Sequence, residues 1–329
     1  MTARHREVLA TPPTAVPVAE RPESGPIAVL PREKPLFVEA VEGAGGTVAP
    51  LSDETRGLIW LSSGRADEFE RILEDHPRIG WIQLPFAGVD AFREVLVRQA
   101  RPGRLWTSAK GAYAQPVAEH ALTLALALLR VLPTRIAARS WGEKAGTSLY
   151  GLHVVIIGAG GIALELLRLL EPFGVRTTVV RRRAEPVAAA TQTVPVSVLR
   201  HVLPEADLVV VAAALTEGTS RLIGAAELAL MPETAYLVNI ARGGLVDSDA
   251  LDAALRSGTI AGAGLDVTDP EPLPDGHPLW TAPNMIITPH TADTPEMTAP
   301  LLAERIRHNV RAFRESGDFA GLVDPDAGY

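Results

Sequence analysis

The chain has 329 residues, more than one hydrophobic core usually serves, so two domains are expected. Its hydrophobic share of 47% and charged share of 21% are those of an ordinary globular protein. A formal net charge of −8 disfavours nucleic-acid binding, and the lack of cysteine excludes disulfides and thiolate chemistry.

The first 26 residues predict a disordered tail. Charged residues occur early in this segment, and a Pro- and Ala-rich stretch without an apolar core follows, which does not fit a signal peptide. The longest apolar run, 121–129, is too short to span a membrane and indicates a buried helix. We therefore predict a cytoplasmic protein without membrane contact.

Residues 27–108 predict one α/β unit. Short apolar runs indicate strands at 27–30, 57–63, 78–85 and 104–109, with helices between them at 32–44, 66–75 and 90–101. Strands separated by helices favour a parallel sheet covered on both faces. A long helix is then predicted from Pro116, because proline is tolerated in a first helical turn.

A second α/β unit is predicted from residue 152 onward. Helices are expected at 162–172 and 295–320, and strands at 152–158, 175–180, 206–214, 235–241, 261–267 and 285–290. Near-continuous apolar strands of this kind are typical of a doubly wound parallel sheet. In such a sheet, functional residues collect at the carboxyl ends of the strands.

The segment GAGGIA at 158–163 follows a predicted strand and opens a predicted helix. It fits the dinucleotide-binding pattern, in which Gly158 permits the tight turn, Gly160 lets the pyrophosphate approach, and Ala163 allows close helix packing. The helix begins at Gly161 and Ile162, whose end of the helix offers free N–H groups to the phosphates.

The next strand ends in Arg181, Arg182 and Arg183, and the first acidic residue is Glu185. A carboxylate at this strand end binds the ribose 2′-hydroxyl, whereas guanidinium groups bind a 2′-phosphate. We therefore predict a preference for NADP(H), with Arg182 and Arg183 as the leading contacts and NAD(H) as the alternative. The alternative interpretation of the same arginine run is a basic surface turn that contacts solvent and binds no phosphate.

Three later segments carry the residues that reduction of a 2-oxo acid requires. Arg242 lies in NIARGGLVD, Glu271 in DVTDPEPLP, and His290 in ITPH. An arginine binds the carboxylate and carbonyl oxygens with defined geometry, and a histidine delivers a proton near neutral pH. A carboxylate beside the imidazole favours its charged form and orients the ring. No cluster has the spacing of a metal site.

Together, GAGGIA, NIARGGLVD, DVTDPEPLP and ITPH resemble the signatures of the D-isomer-specific 2-hydroxyacid dehydrogenases, in particular the NADP-preferring glyoxylate/hydroxypyruvate reductase-like members. The resemblance runs from about residue 27 to 313. It implies two Rossmann-like domains with parallel sheets: a cofactor domain of 114–291 inserted into a substrate domain of 27–113 and 292–329. It also implies a homodimer with the long helix at the interface.

The resemblance assigns roles to single residues. Arg242 would bind the substrate carboxylate and carbonyl, His290 would act as acid and base, and Glu271 would be its partner. Ala241 and Asp266 would contact the cofactor, with Asp266 near the nicotinamide carboxamide. The predicted reaction is hydride transfer from NADPH to a small 2-oxo acid, giving a D-2-hydroxy acid.

The segment QLPFAGVD at 83–90 resembles the substrate loop of the family. Backbone N–H groups of Ala87, Gly88 and Val89 could surround a carboxylate, since successive N–H groups form an anion site. Phe86 departs from the small or polar residue expected there, and it is predicted to make the pocket wall more apolar or simply to pack.

Two other interpretations stay open. Formate and phosphite dehydrogenases share the architecture; Glu271 disfavours the formate enzymes, which carry an amide at that place, but not the phosphite enzymes. A nucleotide-sensing interaction protein of the same fold would keep the cofactor site, and measurable turnover would distinguish it.

Overall fold

Residues 5–183 and 185–325 are described by the computed structural model. The chain divides into two compact units, one of residues 1–113 with 295–329 and one of residues 114–294. The second boundary falls after Thr294 rather than after residue 291. The reason is local: the backbone amides of Thr291 and Ala292 donate to the carboxylate of Asp266, which belongs to the inserted unit.

The discontinuous unit is built on a parallel sheet whose described strands run in the order β2 (Ile27–Leu30), β3 (Gly57–Trp60), β4 (Trp81–Gln83) and β5 (Leu105–Thr107). Its core is aromatic, with the Trp60 and Phe69 rings stacked at 4.9 Å between centroids. Near the C-terminus, Phe313 packs on Trp81 of β4 with centroids 5.1 Å apart. The elements are β1 Thr14–Ala15, β2 Ile27–Leu30, α1 Pro35–Glu42, β3 Gly57–Trp60, α2 Ala66–Asp75, β4 Trp81–Gln83, α3 Arg93–Arg98, β5 Leu105–Thr107, α10 Pro295–Arg311 and β13 Asp318–Phe319.

Residues 5–26, for which the composition predicts a disordered tail, contact the rest of the discontinuous unit. β1 pairs antiparallel with β13, and the Val16 amide donates to the carbonyl of Gly317. Glu7 forms an ion pair with Arg305, whose side chain is fully buried. Backbone pairing and the ion pairs of Glu7 and Glu23 with buried arginines therefore hold a segment whose composition indicates no core. Residues 1–4 lie outside the described ranges.

The inserted unit contains the larger sheet. Among the described residues, every pair of neighbouring strands in this sheet is parallel. The elements are α4 Ala114–Leu129, α5 Leu132–Ala137, β6 His153–Ile157, α6 Gly161–Leu170, β7 Arg176–Arg181, β8 Gln192–Pro195, α7 Leu199–Val202, β9 Leu208–Val211, α8 Ala225–Leu228, β10 Tyr236–Asn239, α9 Ser248–Ser257, β11 Gly262–Leu265 and β12 Met285–Ile287.

The described strands of the larger sheet follow the order β8-β7-β6-β9-β10-β11-β12, which gives the doubly wound fold that the sequence predicts. β6, β9 and β10 are buried along their whole length, as a sheet covered on both faces requires. The order reverses between β6 and β9, where ligands bind in open α/β sheets. α4 begins at Ala114, with Pro116 in its first turn. No helix within 5–183 and 185–325 is long and apolar enough to cross a membrane.

Candidate active site and cofactor site

The candidate catalytic residues follow three neighbouring strands. β10, β11 and β12 lie side by side at one edge of the larger sheet and run parallel. Their carboxyl ends therefore meet at the same side, which brings the segments of Arg242, Glu271 and His290 together although they are far apart in sequence.

A glycine joins the first two of these segments. Gly243, directly after Arg242, has no room for a side chain, because a Cβ there would lie 1.9 Å from the carbonyl oxygen of Thr268. The buried amide of Asn239 supports the same turn: its Nδ2 donates to the Arg242 carbonyl at 2.9 Å, and its Oδ1 accepts from the Ala241 amide at 3.1 Å. The turn bearing Arg242 thus lies directly against the loop that carries Glu271.

His290 and Glu271 form a short hydrogen bond, with 2.6 Å between Nδ1 and Oε1. A carboxylate can only accept, so Nδ1 donates and Nε2 is the nitrogen left for chemistry. The His290 backbone lies in the left-handed region with a φ of 51°, and its amide donates to the Asp266 carbonyl at 2.8 Å. Both side chains are about half exposed, at 49% for His290 and 42% for Glu271. The pair is therefore accessible to a small molecule.

The glycine-rich turn has the shape that a dinucleotide phosphate needs. Gly158 has a φ of 118°, and a Cβ there would lie 2.3 Å from the carbonyl oxygen of Ala212, which follows β9. Gly160 precedes α6, and a Cβ there would meet open space. Gly161 and Ile162 form the first turn of α6, and Ala163 is fully buried beneath it. Free helix N–H groups at the strand-order switch point fit a pyrophosphate.

The predicted substrate loop lies in the discontinuous unit and follows β4. Phe86 is 43% exposed, whereas Val89 is buried. The loop is held by the Ala109 amide, which donates to the Phe86 carbonyl at 3.0 Å, and by the Tyr113 hydroxyl, which donates to the Pro85 carbonyl at 2.6 Å. Within the described part of the chain, the amides of residues 87–89 donate no backbone–backbone hydrogen bond.

Comparison with known proteins decides the family. The sequence profile "D-isomer specific 2-hydroxyacid dehydrogenase, NAD binding domain" matches residues 122–292. An uncharacterized protein in the proB 3′ region of Corynebacterium melassecola is 41% identical over 275 residues, covering 81% of this chain and 88% of that protein. The chain belongs to the D-isomer specific 2-hydroxyacid dehydrogenase family.

Two further relatives of this chain are informative. The human glyoxylate reductase/hydroxypyruvate reductase is 35% identical over 268 residues, covering 78% of this chain and 80% of that enzyme. A D-isomer specific 2-hydroxyacid dehydrogenase from Xanthobacter autotrophicus, solved with NADPH and MES, superposes with a TM-score of 0.78 at 28% identity, covering 93% of this chain and all of that one.

Asp266 is almost fully buried and holds the turn that carries His290. Its carboxylate accepts from the Thr288 hydroxyl at 2.6 Å and from the amides of Thr291 and Ala292 at 2.9 and 3.0 Å. Burial alone would raise the pKa of Asp266, but hydrogen bonds from His120, Thr288 and the two amides outweigh it and lower the pKa. This anchoring role is additional to the cofactor contact that the family resemblance implies for Asp266.

In the arginine run at 181–183, Arg181 and Arg183 differ in how close they lie to the Glu185 carboxylate. Arg181, the last residue of β7, pairs with Glu185 at 3.1 Å, and its side chain is 31% exposed. Arg183 lies 3.9 Å from the same carboxylate and is 72% exposed. Arg182 is exposed as well. The two later arginines therefore offer more surface to a phosphate than Arg181 does.

Two residues near the candidate site do not stand out in the sequence. His120 on α4 has its Nε2 3.0 Å from the Thr288 hydroxyl and 3.4 Å from Asp266. Asp293 is partly buried, and burial raises its pKa, with opposing effects of nearby His290 and Arg242 and a reinforcing effect of Asp266. The only available signal for Asp293 was its position three residues after His290 on the same turn.

Proposed function

We propose that this dehydrogenase reduces a small 2-oxo acid to the D-2-hydroxy acid with NADPH. The observation that carries the proposal is the 2.6 Å contact between His290 and Glu271, at strand ends neighbouring that of Arg242. A cation, a proton donor and a carboxylate that supports the donor are what reduction of a polar carbonyl requires.

In this proposal three side chains each perform one part of the reaction. Arg242 binds the substrate oxygens and stabilises the negative charge that develops on the carbonyl oxygen. His290 gives the proton on Nε2 to that oxygen, and Glu271 stabilises the imidazolium before transfer and fixes the ring. Bound NADPH supplies the hydride that the carbonyl carbon accepts. In the oxidation direction, His290 takes the proton back.

Gly158, Gly160 and the first turn of α6 are proposed to hold the cofactor's pyrophosphate. Arg182 and Arg183 are proposed to bind its 2′-phosphate, because guanidinium groups bind phosphate through paired hydrogen bonds. The relative from Xanthobacter autotrophicus solved with NADPH supports this preference. NADH remains a usable but weaker cofactor in this proposal.

The loop of Phe86, Ala87, Gly88 and Val89 is proposed to bind the substrate carboxylate through its backbone N–H groups. Successive N–H groups that donate to no described backbone carbonyl can form a concave site for an anion. The half-exposed ring of Phe86 supplies an apolar surface for the substrate side chain. Glyoxylate and hydroxypyruvate are the first substrates to test, and the human relative's name supports them.

A homodimer is proposed through the face of α4 and α5, which the family resemblance implies. Large apolar side chains on and after α5 are exposed in the single chain: Leu132 by 42%, Ile136 by 79% and Trp141 by 98%. Exposed apolar groups of this size favour burial against another protein surface. Light scattering after size exclusion tests the proposal, and a monomeric mass at micromolar concentration contradicts it.

The enzymatic proposal is tested by following NADPH and NADH absorbance with glyoxylate, hydroxypyruvate, pyruvate and phenylpyruvate. We expect oxidation of NADPH with at least one acid, faster than that of NADH. Formate and phosphite are included with NADP⁺, because turnover with either would assign the chain to the rival dehydrogenases. NADPH binding without turnover of any compound would favour a sensing protein.

A further inference from the structure

A buried cation in the discontinuous unit is neutralised by the N-terminal segment. The Arg305 side chain on α10 is fully buried, and burial lowers its pKa while Glu7 opposes this effect. Nε of Arg305 donates to Oε1 of Glu7 at 2.7 Å, and the same oxygen also accepts from the guanidinium's NH2 group. A buried charge without a partner is strongly unfavourable, so Arg305 depends on Glu7.

The same guanidinium holds the segment that follows β5. It donates to the carbonyl of Ser108 and, at 2.8 Å, to that of Lys110. Beside it, the Val8 amide donates to the Gly111 carbonyl at 3.0 Å. Gly111 has a φ of 85°, and a Cβ there would lie 2.7 Å from the Val8 carbonyl. Residues 7–9, named the strap here, therefore lie directly on residues 108–111.

The segment held by the strap supports the proposed carboxylate loop. The Ala109 amide donates to the Phe86 carbonyl, and the Tyr113 hydroxyl donates to the Pro85 carbonyl. The two accepting carbonyls immediately precede the amides of residues 87–89 along the loop. A continuous series of hydrogen bonds thus runs from Glu7 through Arg305 and residues 108–113 to the loop.

We propose that Glu7 and Arg305 are positioning residues for substrate binding: the strap fixes residues 108–113, and these fix the N–H groups that bind the substrate carboxylate. The proposal rests on the proposed function, since the loop's role is part of it. It predicts that loss of the Glu7 charge weakens substrate binding and leaves cofactor binding unchanged, because the dinucleotide residues belong to the other unit.

The test compares Glu7→Gln with a matched control, Glu23→Gln. Glu23 also lies near the N-terminus and pairs with a buried arginine, Arg56, at 2.9 Å. Arg56 precedes β3, however, and its other side-chain hydrogen bonds go to Asp53 and Thr55 rather than to the segment after β5. Both variants remove one carboxylate beside a buried arginine, but Arg56 keeps a second carboxylate, that of Glu54 at 3.6 Å. Glu23→Gln therefore controls for the loss of a negative charge near the N-terminus. Glu7→Asp, which keeps the charge, serves as the conservative variant.

For Glu7→Gln we expect KM for glyoxylate to rise about tenfold, as is usual when a supporting partner of a site is lost, with kcat and NADPH affinity within about twofold. Glu7→Asp should recover most of the difference, and Glu23→Gln should leave KM unchanged. Amide hydrogen exchange should increase locally, over residues 84–90 and 107–113, in Glu7→Gln alone.

Unchanged KM and unchanged local exchange in Glu7→Gln would overturn the proposal. So would an exchange increase spread over the whole unit and equal in Glu23→Gln, because both pairs would then be merely structural. Should Glu7→Gln fail to fold, its place is taken by Val8→Pro, which removes the strap's backbone hydrogen bond to Gly111 and should raise KM in the same way. A wild-type protein that reduces no 2-oxo acid refutes the proposed function, whereas the exchange comparison still decides whether the strap orders the loop.

Discussion

Nδ1 of His290 lies 2.6 Å from Oε1 of Glu271, and the His290 backbone reaches this position with a φ of 51°. A left-handed conformation costs a residue with a side chain roughly 1–2 kcal/mol, so the surrounding structure must enforce it. Asp266 does so, because its carbonyl accepts from the His290 amide and its carboxylate accepts from the two amides that follow. Strain at one residue is thus offset by a buried carboxylate on the neighbouring strand end.

The first prediction concerns proton transfer. His290→Ala should lower kcat/KM for 2-oxo acid reduction by at least about 100-fold, because a positioned general acid contributes that much or more. NADPH affinity, measured by fluorescence titration, should stay within about twofold, since the residues proposed to bind the phosphates follow other strands. His201→Ala, at an exposed histidine of the same unit, is the control. Near-native turnover of His290→Ala would refute the proposed role.

The second prediction concerns the cofactor. Replacing Arg182 and Arg183 together by glutamine should raise Kd for NADPH at least about tenfold, as expected when charged hydrogen bonds to a phosphate are lost. Kd for NADH should change little. Arg200→Gln with Arg256→Gln removes the same charge elsewhere on the unit, where the partners are Glu227 and Asp252. Equal weakening of both cofactors by the first pair would argue against a 2′-phosphate site.

The third prediction concerns Asp266 and acid stability. Its pKa is lowered from the ordinary value of 3.8, so its contribution is present above pH 3.8 and is lost as the pH falls through the folded-state pKa. Asp266→Asn should therefore lower the free energy of unfolding by about 1–3 kcal/mol near neutral pH, because buried donors lose a charged acceptor. Urea unfolding should show this difference shrinking below pH 3.8. A constant difference would contradict it.

The fourth prediction concerns Asp293, whose ionisation should affect stability in the opposite direction to that of Asp266. Burial raises the pKa of Asp293, so the folded state keeps its proton at a pH where the unfolded chain has released it. Stability is therefore lost as the pH rises from 3.8 through the folded-state pKa. Asp293→Asn should raise the free energy of unfolding near neutral pH, by less than Asp266→Asn lowers it, and should have no effect below pH 3.8. Destabilisation by Asp293→Asn near pH 7 would contradict this assignment.

The strand-end motifs allowed the candidate site to be predicted because glycine and charged residues there interrupt long apolar runs. β6 and β9–β11 are buried along their length, so their positions follow from hydrophobicity alone. β8, by contrast, was not predicted. Its residues Gln192 and Thr193 are not buried, and the strand lies at the sheet edge, so no apolar run marks it.

Other features depend on contacts that no local pattern encodes. The N-terminal segment has the composition of a disordered tail, yet Glu7 binds a cation 298 positions away. His120 resembles an ordinary polar position on a helix, and only the parallel strands bring Asp266 and Thr288 to it. Residues that are distant in the sequence become neighbours through the topology of the fold. A single sequence indicates that topology only through its motifs.

The discontinuous unit has a consequence for synthesis on the ribosome. β2–β5 are translated early, but α10 and Phe313, which packs on Trp81, are made only after the whole inserted unit. At about 5–20 residues per second, the delay is on the order of ten to forty seconds. During this delay α10 and Phe313 are not yet available to pack on the nascent sheet, and Arg305 is not yet available to bind Glu7. A chain ending at Thr294 should accordingly be cleaved by protease within residues 27–113, while its inserted unit resists cleavage. The discontinuous unit is therefore the part of the nascent chain for which a chaperone would matter most.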